Sequence, residues 1–177
     1  MSPDIELDPV DKITIGAVGE PGQRTFYLQV QGNGKLVTFL IEKQQAVELA
    51  RVAHVLLVQL GRPVDLKGWD SPSMDIVPGE ESQWRVGAIA IGYDEGRDLV
   101  VLECTEIPEL ATETAPESLA DPEEDLASAR FLLTRDQMAL LAARASYVSA
   151  QGRPACPFCG MPLEPEGHRC FATNGHR

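Results

Sequence analysis

Apolar and polar residues alternate along this chain with two different periods, and the periods change over in the same order twice. Residues 24–30 and 36–42 are dense in β-branched and aromatic side chains, with Gly32, Asn33 and Gly34 between them. That pattern predicts two strands joined by a tight hairpin turn. Next, Ala46, Leu49, Ala50, Ala53, Leu56, Leu57 and Leu60 recur at steps of three and four, and Val47, Val52, Val55 and Val58 widen the stripe. A stripe that wide predicts a largely buried helix. Residues 85–91 and 98–105 then predict another strand pair around the turn residues Gly92 to Gly96. Thr134 and Gln137 have the spacing of a capping box, and Met138, Leu141, Ala142, Ala145 and Val148 supply the apolar face of a second helix.

The two runs share residues as well as periods. FLIEKQQAVELARVAHVLLVQLGRP begins at Phe39 and FLLTRDQMALLAARASYVSAQGRP at Phe131; Gln45 and Gln137, Leu49 and Leu141, Ala50 and Ala142, and Ala53 and Ala145 coincide at one offset. Upstream, residues 13–30 parallel residues 88–103 in order of elements. The expected fold class is α+β: a duplicated β-β-β-α unit forming a mostly antiparallel sheet with two helices on one face, related by a pseudo-two-fold axis. The expected organisation is a body over residues 1–151, with repeat one at about 12–62 and repeat two at about 84–151, and a small zinc knuckle over residues 152–177.

Charge changes this picture in one place. The chain of 177 residues carries a net charge of −12, and residues 106–129 hold eight acids and no base, punctuated by Pro108, Pro116 and Pro122. Such a segment buries too little apolar surface to offset its ordering entropy, which predicts a solvated acidic loop. The overall charge disfavours broad binding to nucleic acid or anionic lipid. No apolar run reaches the ~18 residues of a membrane helix, and the first dozen residues are acidic rather than basic and then apolar. A cytoplasmic protein is expected; its oligomeric state is left open.

Three of the four cysteines lie near the end, in Cys156-Pro-Phe-Cys159 and His168-Arg-Cys170. The two-residue gap lets two thiolates grip one tetrahedral ion, and His168 and Cys170 close the site after an eight-residue loop. One zinc ion held by four protein ligands is structural, because catalysis needs an open position. His176 is an alternative to His168, and a redox-active C-x-x-C is the rival use of the first pair. Cys104, within an apolar strand, is expected to be a core residue.

Nucleophile and phosphate-loop motifs are absent. Residues 16–22 are rich in glycine, yet they join two strands and so predict a hairpin loop rather than a phosphate cradle. His54 is expected to be a partly buried structural residue on the first helix, and Trp69 and Trp84 to cover the core or face a partner. Glu20 and Arg24 occupy the hairpin that matches Asp94 and Arg97. If the repeat brings these hairpins together, Arg24 and Arg97 are the anion contacts of a polar cleft.

VGEPGQRTFYLQ (from Val18), EKQQ (from Glu42) and GRPACPFCGMPLEPEGHRCFATNG (from Gly152) together resemble an uncharacterised actinobacterial family, a domain of unknown function with a zinc-ribbon-like tail. The resemblance covers nearly the whole chain. It implies Cys156, Cys159, His168 and Cys170 as the ligand set and carries no activity with it. Phe171 and His176 depart from the family pattern. The leading expectation is a non-catalytic, cytosolic zinc-binding protein that serves as an interaction or regulatory module with a protein partner. The alternative is an enzyme or sensor that binds a phosphorylated or nucleotide-like small molecule between the repeats. Nucleic-acid binding through Arg153, Arg169 and Arg177 of the tail is disfavoured by so few cations on so acidic a chain.

Overall fold

The computed structural model describes residues 4–61, 65, 67–107, 126–152 and 156–158. Strand β1 (Ile5–Leu7) leads into β2 (Lys12–Val18), β3 (Thr25–Gly32) and β4 (Lys35–Ile41), an antiparallel meander followed by helix α1 (Lys43–Leu60). After a 3₁₀ turn at Pro72–Met74 the order recurs as β5 (Val86–Asp94), β6 (Leu99–Glu106), β7 (Ser128–Leu133) and α2 (Arg135–Ala150). The class is α+β, and the β-β-β-α order occurs twice. The β3–β4 turn follows from its residues: Asn33 at φ 53° and Gly34 at φ 72° form the doubly left-handed turn whose twist matches a hairpin.

The expectation of one sheet with both helices on one face is corrected. There are two sheets, β2-β3-β4 and β1-β7-β6-β5. They meet where Leu40 of β4 bridges Arg85 in parallel, supported by bonds from Leu40 N to Trp84 O at 3.1 Å and from Gln83 N to Thr38 O at 2.8 Å. Strand β1 runs parallel to β7 in the same manner, with Leu7 opposite Phe131. Each half thus sends its lead-in segment to the last strand of the other half. The helices cross as well: α2 packs over β2, α1 lies against β5, and the two helices pack on each other. The reason is area, since a three-stranded meander of seven or eight residues per strand needs a cover to be stable.

One apolar cluster therefore spans both halves, joining Ile13, Ile15 and Leu28 to Leu102, Phe131 and Leu141. The rings of Phe39 and Phe131, both fully buried, lie 5.8 Å apart at 59°. Trp84 covers Phe39 from the other side at 4.6 Å, and Trp69 packs edge-on against Tyr147 at 5.1 Å.

Helix α2 starts at the expected box, with Thr134 N donating to Gln137 Oε1 at 2.9 Å and Gln137 N to Thr134 Oγ1 at 3.1 Å. Helix α1 uses the same device with Glu42, whose N–H donates to Gln45 Oε1 at 2.8 Å. It ends on Gly61 at φ 67°, where only glycine takes the left-handed turn without cost. The expectation that α1 is largely buried is also corrected. Ala46, Leu49, Ala50 and Ala53 are buried, but Val47, Val55 and Val58 are exposed, because packing against α2 and β5 covers only the inner stripe.

The ends of the acidic segment belong to strands: Glu106 closes β6, while Ser128 and Ala129 open β7. Residues 108–125 lie outside the described residues. Among the described residues no helix is long and apolar enough to cross a membrane.

Candidate functional site

A cavity of about 550 Å³ opens where the two halves exchange elements. Pairing of Phe26 with Ile41 brings the start of β3 beside the start of α1, so Arg24, just before β3, faces Lys43, the first residue of the helix, across one space. The Leu40–Arg85 bridge delivers a third cation, and α2, crossing over β2, brings Val148, Ser149 and Gly152 to the wall.

The charges of the wall do not cancel. Arg85 Nη1 pairs with Glu42 Oε1 at 3.1 Å. Arg24 and Lys43 have no ion-pair partner among the described residues, and the partial positive charge at the N-terminus of α1 adds to theirs. Ser149 is 7% exposed, and its Oγ has no hydrogen-bond partner among the described residues. Leaving a buried hydroxyl unmet costs about 1–3 kcal/mol, which a bound acceptor would recover. At Gly152 an added Cβ would stand 3.0 Å from Lys43 Nζ, so the missing side chain keeps this wall open. The cavity falls within the range of about 300–1,000 Å³ usual for small-molecule sites.

Arg24 and Arg97 are not in the same place. Arg97 grips Asp8 with both arms, Nη1 to Oδ2 at 2.6 Å and Nη2 to Oδ1 at 3.0 Å. The hydrogen bond from Arg97 holds the Asp8 carboxyl below its ordinary range, and the same bond raises Arg97. Asp94 is occupied within its own turn, accepting from Arg97 N at 3.1 Å, while Glu20 is exposed.

The glycine-rich stretch is divided. Gly16 lies inside β2, where an added Cβ would come 2.7 Å from Ile76 Cγ2, and Gly19 and Gly22 take positive φ in the loop before β3. His54 is exposed on α1, which corrects the expectation of a partly buried residue. Cys104 is buried among apolar side chains, and burial pushes its thiol up to about 12, far from a nucleophile's range.

Lys43, Arg85 and Ser149 escaped sequence reasoning. The first two look like surface charges, and only the fold brings them together. For Ser149 a signal existed: at the offset of the repeat it stands where the first helix has Leu57, a polar residue replacing an apolar one.

Of the four cysteine and histidine ligands expected for zinc, Cys156 is described and is buried. Cys159, His168 and Cys170, with His176, lie outside the described residues. Three thiolates and an imidazole suit zinc chemically. Among the described residues no group of three or more His, Cys, Asp or Glu side chains is placed to hold a metal ion.

No curated protein and no solved structure matches the chain. The sequence pattern of one family does, over residues 5–170. The chain accordingly belongs to the family described as protein of unknown function DUF3090.

Proposed function

We propose that this protein is a non-catalytic regulatory module that holds a phosphorylated or nucleotide-like small molecule in the cavity between its halves. The observation that carries the reading is the convergence of Arg24, Lys43 and Arg85 on one cavity of a chain whose net charge is −12. Cations gathered against the prevailing charge are stabilised by an anion bound between them. On this reading the halves are copies of one duplicated unit, and a protein partner senses the occupied state. The tail holds one structural zinc through Cys156, Cys159, His168 and Cys170. Thermal unfolding with adenosine monophosphate tests the ligand. The nucleotide should raise the melting temperature of the natural chain and of Arg97→Gln, and leave Arg24→Gln unmoved. Equal shifts in the natural chain and Arg24→Gln would refute the site, as would no shift with any phosphorylated compound.

A further inference from the structure

The second half contains counterparts of residues that line the cavity, and these are already engaged with one another. Equivalent rows fix the comparison: Ala17, Phe26 and Ile41 lie across β2, β3 and β4, as Tyr93, Val100 and Leu133 lie across β5, β6 and β7. Ile41 and Leu133 each end a strand one residue before a helix cap. By this register Arg24 corresponds to Asp98, each two residues before the middle member of its row, and Lys43 to Arg135, each the first residue of its helix.

In the second half these positions bond to one another, although Arg135 Nη1 is left buried without a hydrogen-bond partner among the described residues. Arg135 Nε donates to Asp98 Oδ1 at 2.6 Å, Tyr93 OH donates to the same carboxylate, and the Arg135 guanidinium lies 5.0 Å from the centre of the Tyr93 ring. In the first half each of those contributions is missing. The carboxylate has become the cation Arg24 and the ring has become the methyl of Ala17. Half-buried Leu57 of α1 is matched by Ser149, whose buried hydroxyl is unmet. Helix α2 is also two residues shorter, 16 against 18, and Gly152 lines the wall.

We infer that the second half is a self-occupied copy of the ligand site, and that the first half takes from solution what Asp98 and Tyr93 supply from the chain: a phosphomonoester carried on an aromatic ring, one molecule per chain. The inference rests on the proposed anion-binding function and adds the shape, charge and number of the ligand. A phosphomonoester brings close to two negative charges and three acceptor oxygens, enough for Arg24, Lys43 and the Ser149 hydroxyl together. The ring points towards Ala17, which lines the adjoining cavity that shares Arg24 and Val148 with the first, and so takes the place that Tyr93 holds in the other half.

Phenyl phosphate and inorganic phosphate, titrated calorimetrically into the full chain, separate the parts. Phenyl phosphate should bind at one molecule per chain and at least about tenfold more tightly than inorganic phosphate. Ser149→Ala, which leaves the backbone and the helix undisturbed, should weaken phenyl phosphate about tenfold, the size of one hydrogen bond to a charged group. The double variant Ala17→Tyr/Arg24→Asp, which rebuilds the closed arrangement, should bind neither phosphate and melt no lower than the natural chain. Equal affinity for the two phosphates, two molecules per chain, or undiminished binding by Ser149→Ala overturns the inference while the anion site stands. If neither phosphate binds the natural chain, the anion site falls with it.

Discussion

Phe39 and Phe131 touch, ring against ring at 5.8 Å, and they coincide at the offset that aligns the two β-β-β-α runs. Each ring belongs to a row of core residues in its own sheet, Ile15, Leu28 and Phe39 in one and Leu102, Phe131 and Leu7 in the other, so the pair is where the two sheets become one hydrophobic core.

Truncation of either ring should therefore weaken the whole body rather than one half. Phe39→Ala and Phe131→Ala should each cost about 3–5 kcal/mol, the usual range for a buried aromatic ring. The Phe39 variant should be the worse, because Trp84 also leans on that ring at 4.6 Å. Urea unfolding followed by tryptophan fluorescence and by far-ultraviolet circular dichroism checks this. Both probes should move together in each variant, and a half that unfolds alone would contradict the shared core.

The two cap glutamines do double duty. Each accepts from the backbone N–H of its own helix cap, and each donates its side-chain amide to a backbone carbonyl of the other half. Gln137 Nε2 reaches Val10 O at 2.7 Å, and Gln45 Nε2 reaches Val86 O at 3.0 Å and Gly87 O at 3.2 Å. A glutamate at the same position serves the cap equally well but has no proton to give to the carbonyl. Gln137→Glu should thus destabilise the protein by about 1–3 kcal/mol, although glutamate is a favoured residue in capping boxes. Chemical denaturation of this variant beside Gln137→Met, which removes both bonds without adding charge, separates cap from crossing. Unchanged stability in Gln137→Glu would mean that the bond across the halves contributes nothing.

The strands and helices were legible because each is written in local period and cap residues, as with Asn33-Gly34 and the Thr134–Gln137 box. The exchange between halves was not. Periodicity says which face of β2 is apolar, but Ile13 and Ile15 look the same whether α1 or α2 covers them. Strand β1 was missed for a related reason: three residues in an acidic stretch have no period of their own, and only pairing with β7 makes them a strand. The site was half legible. Arg24 could be singled out from its hairpin, whereas Lys43 and Arg85 become neighbours only through the parallel bridge at Leu40. Pairing Arg24 with Arg97 failed because the matching position is Asp98, and the two hairpin loops differ in length.

Asp8 gives the fold a pH dependence of definite sign. Its bond to Arg97 holds the native carboxyl below the ordinary value of 3.8, so the unfolded chain takes up a proton at higher pH than the native chain does. The contribution of the pair is complete above that ordinary value and is lost as pH falls through the lower native one. Asp8→Asn should accordingly be less stable than the natural chain at neutral pH and should converge with it in strong acid. Urea midpoints measured for both chains from neutral pH downwards test the sign. A gap that stays constant with pH would show that the asparagine acts through packing and not through the lost charge.

The crossing of elements predicts how the body assembles. Helix α2 packs over β2 and α1 lies against β5, while β1 pairs with β7 and Arg85 bridges β4. Each half alone would keep its meander and lose its cover, exposing Ile13 and Ile15 in one case and Val100 and Leu102 in the other. Severing the chain at Gly79, in the exposed connection between the halves, leaves every one of these contacts intact. The fragments of residues 1–79 and 80–177 should therefore be unfolded by circular dichroism when separate and should recover helix and strand when mixed at equal concentration. Because the recovered species is a complex, its melting temperature should rise with protein concentration, unlike that of the intact chain. A first fragment that folds cooperatively alone would show that β2 does not need α2, and the exchange of helices would then be a feature of packing rather than a condition for folding.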